Sequence, residues 1–250
     1  MTTFKIACQI LSLIILIAIP VFYFVKFRKE KLFMKDVLWG FILSMAASVF
    51  QKIVIVSFPQ VSGSTLYLVT VFSWLSAGFG IVLVYLLLNK YIIKTATSKI
   101  DHLIMGFGFV FLSVVQSIPT HISFIMISIS DMSGNGFDAV KNMLNTEDVT
   151  KINELLTFFR EQSASYFLGV GLSILLTLVV VTSMLILLMK FTKENQDKKV
   201  LIIPVMMMSV FGIVGVIASL LNLNQAIGLV LSILLVSGIG YYAYKEYKTI

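Results

Sequence analysis

Very few residues in this sequence could do chemistry in an apolar setting. Lys52 is one. Ser48 stands four residues earlier, on the same face of a helix. A Ser–Lys pair can act as nucleophile and base; Lys52 could equally snorkel to an interface or face a polar cavity. A second group is Ser113, Gln116, Ser117 and Thr120, at i, i+3, i+4 and i+7, with Pro119 loosening the backbone beside them. Such a stripe is expected to face a bundle interior, as glue between helices or as the lining of a ligand or ion path. His121 follows it directly, and His102 is the only other histidine. A catalytic zinc needs about three protein ligands. Two separated histidines and the single Cys8 cannot supply them, so no metal or cofactor is expected. There is no H-E-x-x-H pattern and no Gly-Asp aspartyl motif. Gly106-Phe107-Gly108 lacks the Lys and Ser or Thr of a phosphate loop. Serine hydrolysis would need a Ser with a His base, for which His121 is a weak candidate. A lone cysteine also excludes an intrachain disulfide.

The elements that must position these residues follow from composition. The 250 residues are 58% hydrophobic and only 12% charged, with mean hydropathy +0.99. An ordinary soluble domain is about a quarter charged, so most of this surface must face lipid. Seven apolar runs are long enough to cross a bilayer: Phe4–Val25, Val37–Phe58, Leu66–Leu88, Leu103–Ser130, Tyr166–Met189, Val200–Leu221 and Gln225–Tyr244. They do not alternate as the strands of a membrane barrel do, so they read as helices. The expectation is an all-α polytopic bundle of about seven spans, forming one integral membrane domain over residues 1–250. No Asp or Glu lies inside any run. Small residues recur every four positions, as in Gly40, Ser44 and Ser48, Ser76 and Gly80, Ser165, Gly169, Ser173 and Thr177, and Gly215 and Ser219. They permit close helix approach.

The net charge of +7 does not point to nucleic acid, because the basic residues cluster at the ends of the runs. Of the 19 Lys and Arg, 14 fall in the first, third and fifth loops and the C-terminal tail. Lys5, Lys141, Lys151 and Arg160 fall on the other side, with six acidic residues. The positive-inside rule then predicts a multi-pass plasma-membrane protein with its N-terminus outside and its C-terminus cytoplasmic. The first run reads as an anchor rather than a cleaved signal, since its basic cluster follows the apolar stretch and Pro20-Val21-Phe22-Tyr23 offers no small-residue cleavage site. Asp131–Ser165 is the expected extracytoplasmic segment. Within it, Val149, Ile152, Leu155, Leu156 and Phe159 recur at helical spacing after Asn145 or Thr146, which predicts an amphipathic helix.

Several motif fragments resemble the YhfC-type family of predicted intramembrane metalloproteases. Gly40 with Val49-Phe50-Gln51 resembles that family's second span. Ala77-Gly78-Phe79 resembles the start of its A-G-L-F-E-E-x-x-R motif, and Gly106-Phe107-Gly108 the start of G-x-G-H-G-x-x-E. The departures fall on the chemistry. Ile81 and Val82 stand where the family has two Glu, Tyr85 where it has Arg, Phe109 where it has His, and Ser113 where it has the second-motif Glu. The resemblance implies the family's fold without its metal or its activity. The leading expectation is a non-catalytic protein that binds a lipid, a hydrophobic peptide or another membrane protein. A small transporter or permease subunit, using Lys52 and the Gln116 stripe, is the alternative; an active protease is a third reading, which the lost ligands oppose.

Overall fold

The computed structural model describes residues 3–30, 33–58, 64–91, 98–133, 150, 153–154, 157–158, 160–221 and 223–249. Among them, seven helices are long and apolar enough to cross a membrane. They are α1 (Thr3–Phe27), α2 (Phe33–Ser57), α3 (Ser64–Tyr91), α4 (Lys99–Ser133), α5 (Ala164–Lys193), α6 (Asp197–Leu220) and α7 (Gln225–Lys248). The chain is an all-α polytopic membrane protein.

The helices begin and end where local chemistry directs. Ser98 and Asp101 form a reciprocal cap at the start of α4: the Asp101 N–H donates to Ser98 Oγ and the Ser98 N–H to Asp101 Oδ2, both at 3.1 Å. Asn224 caps α7 by accepting from the Ala226 N–H at 3.1 Å. After α5, Asn195 takes a left-handed φ of 53°. The Gln196 N–H there closes back on the Phe191 carbonyl, ending the helix in a short turn. Several helices run a few residues past the apolar runs. Asp36 therefore falls in the first turn of α2, where the helix dipole favours a carboxylate.

Of the expected external helix, the apolar positions Val149, Ile152, Leu155, Leu156 and Phe159 lie outside the described residues, as do Asn145 and Thr146. Thr150, Asn153, Glu154, Thr157, Phe158, Arg160 and Glu161 are helical and exposed.

The chain divides into two compact units. Unit 1 comprises residues 1–19 and 113–175, and unit 2 residues 20–112 and 176–250. In unit 2 the interior is mostly apolar, with Asp36, Ser73, His102, Ser183, Lys190 and Ser209 as its buried polar side chains among the described residues. Val180, Val181, Met184, Leu185, Leu187 and Leu188 of α5 are all fully enclosed. Backbones approach closely: a Cβ on Gly40 would overlap the Met105 carbonyl oxygen, and one on Gly108 the Val37 carbonyl oxygen, so α2 and α4 cross glycine to glycine. On α3, Ser76 donates to the Phe50 carbonyl at 2.9 Å and Gly80 lies against the Phe50 ring. Trp74 meets Phe211 of α6 at 5.2 Å between ring centroids. The small residues of the sequence are thus used selectively. Gly40, Ser76 and Gly80 sit at helix contacts, whereas a Cβ added at Gly169 or Gly215 would meet nothing within 4 Å.

In unit 1, Phe167 is fully buried, and its ring meets those of Phe124 and Tyr166 at 6.2 and 5.4 Å. At one end Arg160 pairs with Asp131, and Lys5 Nζ donates to the Arg160 carbonyl at 2.7 Å. The hydrogen bond to Asp131 raises the pKa of the Arg160 guanidinium above its ordinary value.

Candidate functional site

Unit 1 places polar groups where a membrane helix usually places apolar ones. On α1 the buried stripe runs Cys8, Gln9, Ser12, Leu16, Ile19, at helical spacing. On α4 it runs Val114, His121, Ser128, two turns apart. Ser12 Oγ and His121 Nε2 are 2.9 Å apart. His121 Nδ1 is 2.9 Å from the Ser117 carbonyl. That oxygen can only accept, so Nδ1 carries a hydrogen; in a neutral imidazole Nε2 then accepts from the Ser12 hydroxyl. The Gly171 N–H of α5 donates to Ser12 Oγ at 2.9 Å. One hydroxyl thus joins three helices. Gly171 allows this approach, because a Cβ there would run into Ser12 Oγ and the Ser12 backbone. The side-chain amide of Gln9 and the hydroxyl of Ser128 have no hydrogen-bond partner among the described residues.

A serine hydroxyl on a histidine nitrogen is also the start of a nucleophile–base pair. Here both residues are enclosed, Ser12 0% and His121 1% exposed. The geometry is that of an interhelical hydrogen bond.

Unit 2 holds its histidine in the same manner. His102 Nδ1 donates to the Ser98 carbonyl at 2.9 Å, and Nε2 lies 2.8 Å from the Tyr85 hydroxyl. Asp36 is also buried, with Oδ2 unpartnered among the described residues. Asp36 lies just before the apolar run Val37–Phe58, but α2 starts at Phe33 and so carries it within the helix.

In addition to a second concavity of similar size, unit 2 has a groove of about 460 Å³. Pro20, Val21, Phe24 and Val25 of α1 form one wall and Phe33, Met34 and Val37 of α2 the other, with Phe107 and Phe111 of α4 at its base. Every lining residue is apolar. Tyr23 stacks on Phe107 at 4.7 Å and 11°, holding that base in place. Between the two walls in sequence come Lys26, Arg28 and Lys29, all exposed. Lys26 Nζ lies over the rings of Phe22 and Phe27 at 5.1 and 5.4 Å.

The residues singled out by sequence are not gathered into one site. Lys52 and Ser48 are exposed on α2. The Ser113, Gln116, Ser117 and Thr120 stripe does not face the interior of the chain. Ser113, Gln116 and Thr120 are exposed and Ser117 is half-buried. The face turned inward is the neighbouring one, of Val110, Val114, His121 and Ser128, within each unit. The physical reason is partnership: the Ser12 hydroxyl, which also accepts from the Gly171 N–H, meets His121, while the hydroxyl of Thr120 is satisfied on its own helix by the Gln116 carbonyl at 3.1 Å. Only His121, with the Ser117 carbonyl, joins the buried polar cluster. Gln9, Ser12, Ser128 and Gly171 were not read from the sequence. The signal on offer was the spacing of Gln9 and Ser12, two polar residues three apart in an otherwise apolar run.

Among the described residues no group of three or more His, Cys, Asp or Glu is placed to hold a metal ion. Comparison with family models, with curated proteins and with solved structures gave no match.

Proposed function

We propose that this polytopic membrane protein acts by binding rather than by catalysis, and that its ligand is a lipid chain held in the groove between α1, α2 and α4. The observation that carries the reading is the groove: an apolar concavity about 460 Å³ in volume, within the roughly 300–1,000 Å³ typical of small-molecule sites. The resemblance to the YhfC-type family is part of the same proposal. Ile81 and Val82 are fully enclosed in apolar packing and Phe109 is 8% exposed. Side chains of that kind neither coordinate a metal nor transfer a proton, which fits a relative that kept the scaffold and lost the reaction.

The test is photolabelling of the full chain in vesicles by a phospholipid with a diazirine near the end of one acyl chain. Label should concentrate on peptides covering residues 20–25 and 33–37, and Val21→Trp, which fills the groove, should remove most of it. Label spread evenly over the exposed helices, or unchanged by Val21→Trp, would overturn the proposal. The proposed orientation has the loops rich in Lys and Arg in the cytoplasm. In a Cys8→Ser background, Glu161→Cys should react with an impermeant thiol reagent on intact cells and Lys198→Cys should not; the reverse pattern would invert the topology.

A second reading, a small transporter or permease subunit, has its support in the buried polar groups of unit 1. Gln9, Ser12, His121 and Ser128 are the residues such a path would use.

A further inference from the structure

In a bilayer an apolar groove cannot select its ligand by hydrophobicity. Lipid tails are as apolar as its walls, so nothing drives one chain rather than another into it. Selectivity must come from what surrounds its end. Both long walls of this groove converge on the segment that joins the two helices, α1 reaching it through Val25 and α2 leaving it through Phe33. That segment is basic. Lys26, Arg28 and Lys29 are exposed beside the groove, Lys31 and Lys35 follow in sequence, and Glu30 is the one acidic residue before Asp36, which is buried. Lys26 is further fixed over two phenyl rings, which hold its charge near the groove's end.

We infer that the groove is a site for an anionic phospholipid, with one acyl chain between α1 and α2 and the phosphate among Lys26, Arg28 and Lys29. This rests on the groove reading above and adds the headgroup class. Phosphate is recognised by Arg through paired hydrogen bonds and by Lys as a point charge. The pull on an anionic lipid is roughly fivefold per basic residue near the surface.

The experiment is native mass spectrometry of the full chain released from mixed micelles containing equal amounts of dioleoyl phosphatidylglycerol and dioleoyl phosphatidylcholine. The wild type should retain phosphatidylglycerol at least about fivefold over phosphatidylcholine. The Arg28→Gln/Lys29→Gln variant should lose that preference while still retaining lipid. Lys198→Gln/Lys199→Gln, at another exposed basic pair, should keep it. Equal retention of both lipids by the wild type, or equal loss of preference in both double variants, would overturn the anionic assignment. Val21→Trp separates the two proposals. If it abolishes retention of lipid while headgroup preference is absent, the groove reading stands and the headgroup inference falls. If it changes nothing, the groove reading falls too.

A different observation carries a second inference. The exposed face of α4 holds Gln116, and its side chain has no partner among the described residues. Pro119, lacking an N–H, also leaves the Val115 carbonyl without its helical donor, and Val115 is 46% exposed. Polar groups facing lipid without partners are costly. A glutamine amide both donates and accepts, so two copies of the same face satisfy each other across a two-fold axis. We propose that this face is covered by a second copy of the chain, with Gln116 paired to Gln116 of that copy. In a Cys8→Ser background, Thr120→Cys should form a disulfide-linked dimer on mild oxidation in membranes. Ile122→Cys, exposed on another face, should not. Adding Gln116→Leu should reduce the Thr120→Cys dimer at least about tenfold, in line with the upper range of interhelical hydrogen bonds in membranes, and Gln116→Asn should largely preserve it. No dimer at Thr120→Cys, equal dimer at Ile122→Cys, or indifference to Gln116→Leu would overturn the pairing.

Discussion

His102 lies in unit 2 and His121 in unit 1, and the two are held alike. Each gives its Nδ1–H to the carbonyl four residues back and meets a hydroxyl at Nε2, Tyr85 in one case and Ser12 in the other. Their surroundings differ. Unit 2 has helices touching backbone to backbone, and it too holds unpartnered polar groups among the described residues, Asp36 Oδ2 and the hydroxyls of Thr182 and Thr192. Around His121 the unit offers further polar groups, Gln9 and Ser128, whose hydrogen-bonding capacity is not taken up among the described residues. The same bond is set differently. In unit 2 it joins one tyrosine to one histidine; in unit 1 the hydroxyl is shared by three helices. Both settings occur along single helices, since α1, α4 and α5 each contribute to both units.

The comparison can be broken first at the glycine crossing. Gly40→Val should cost about 3 kcal/mol or more, because the new side chain meets backbone atoms that cannot move aside. Reversible unfolding in mixed micelles measures it, and a loss under about 1 kcal/mol would mean the helices do not cross there. Tyr85→Phe comes next, at about 2 kcal/mol, since it strands His102 Nε2 among apolar neighbours. Ser12→Ala should cost about the same, since it strands His121 Nε2 and removes the acceptor of the Gly171 N–H. A Ser12→Ala effect well below that of Tyr85→Phe would show that another polar group of unit 1, such as the Gln9 amide, takes over the lost bonds. Smallest is Gln9→Leu, which removes a buried amide and no hydrogen bond among the described residues. Stability should hold steady or rise by up to about 1 kcal/mol, and a clear fall would show that the amide is engaged after all.

The seven spans were legible because burial in lipid imposes length and apolarity on each segment separately, whatever its neighbours. Span ends shifted where charged residues entered helices, as Asp36 did at α2 and Asp101 at α4. The inward face of α4 was not legible. Its sequence carries two stripes at helical period, one through Gln116 and one through His121, and periodicity alone ranks them by polarity. The choice was made by Ser12 and Gly171, which lie on other helices, remote along the chain. Gly40 was readable as a small residue, but its partner Gly108 was visible only as part of a motif fragment. The groove left no mark, since its lining is ordinary apolar sequence whose concavity exists only once α1, α2 and α4 are assembled.

Helix α4 has 35 residues, about 52 Å of rise, against a hydrocarbon layer of about 30 Å. Counted from Leu103, some twenty residues reach the far boundary near Ile122. An upright α4 therefore carries Ser128 and Asp131 beyond the acyl chains, into the headgroup layer, and brings His121 to its edge. Hydrophobic mismatch of this size is relieved by tilting or by local thickening of the bilayer. For an upright helix, lipids with longer chains would draw the Ser128 level back into hydrocarbon, and shorter ones would leave it wet.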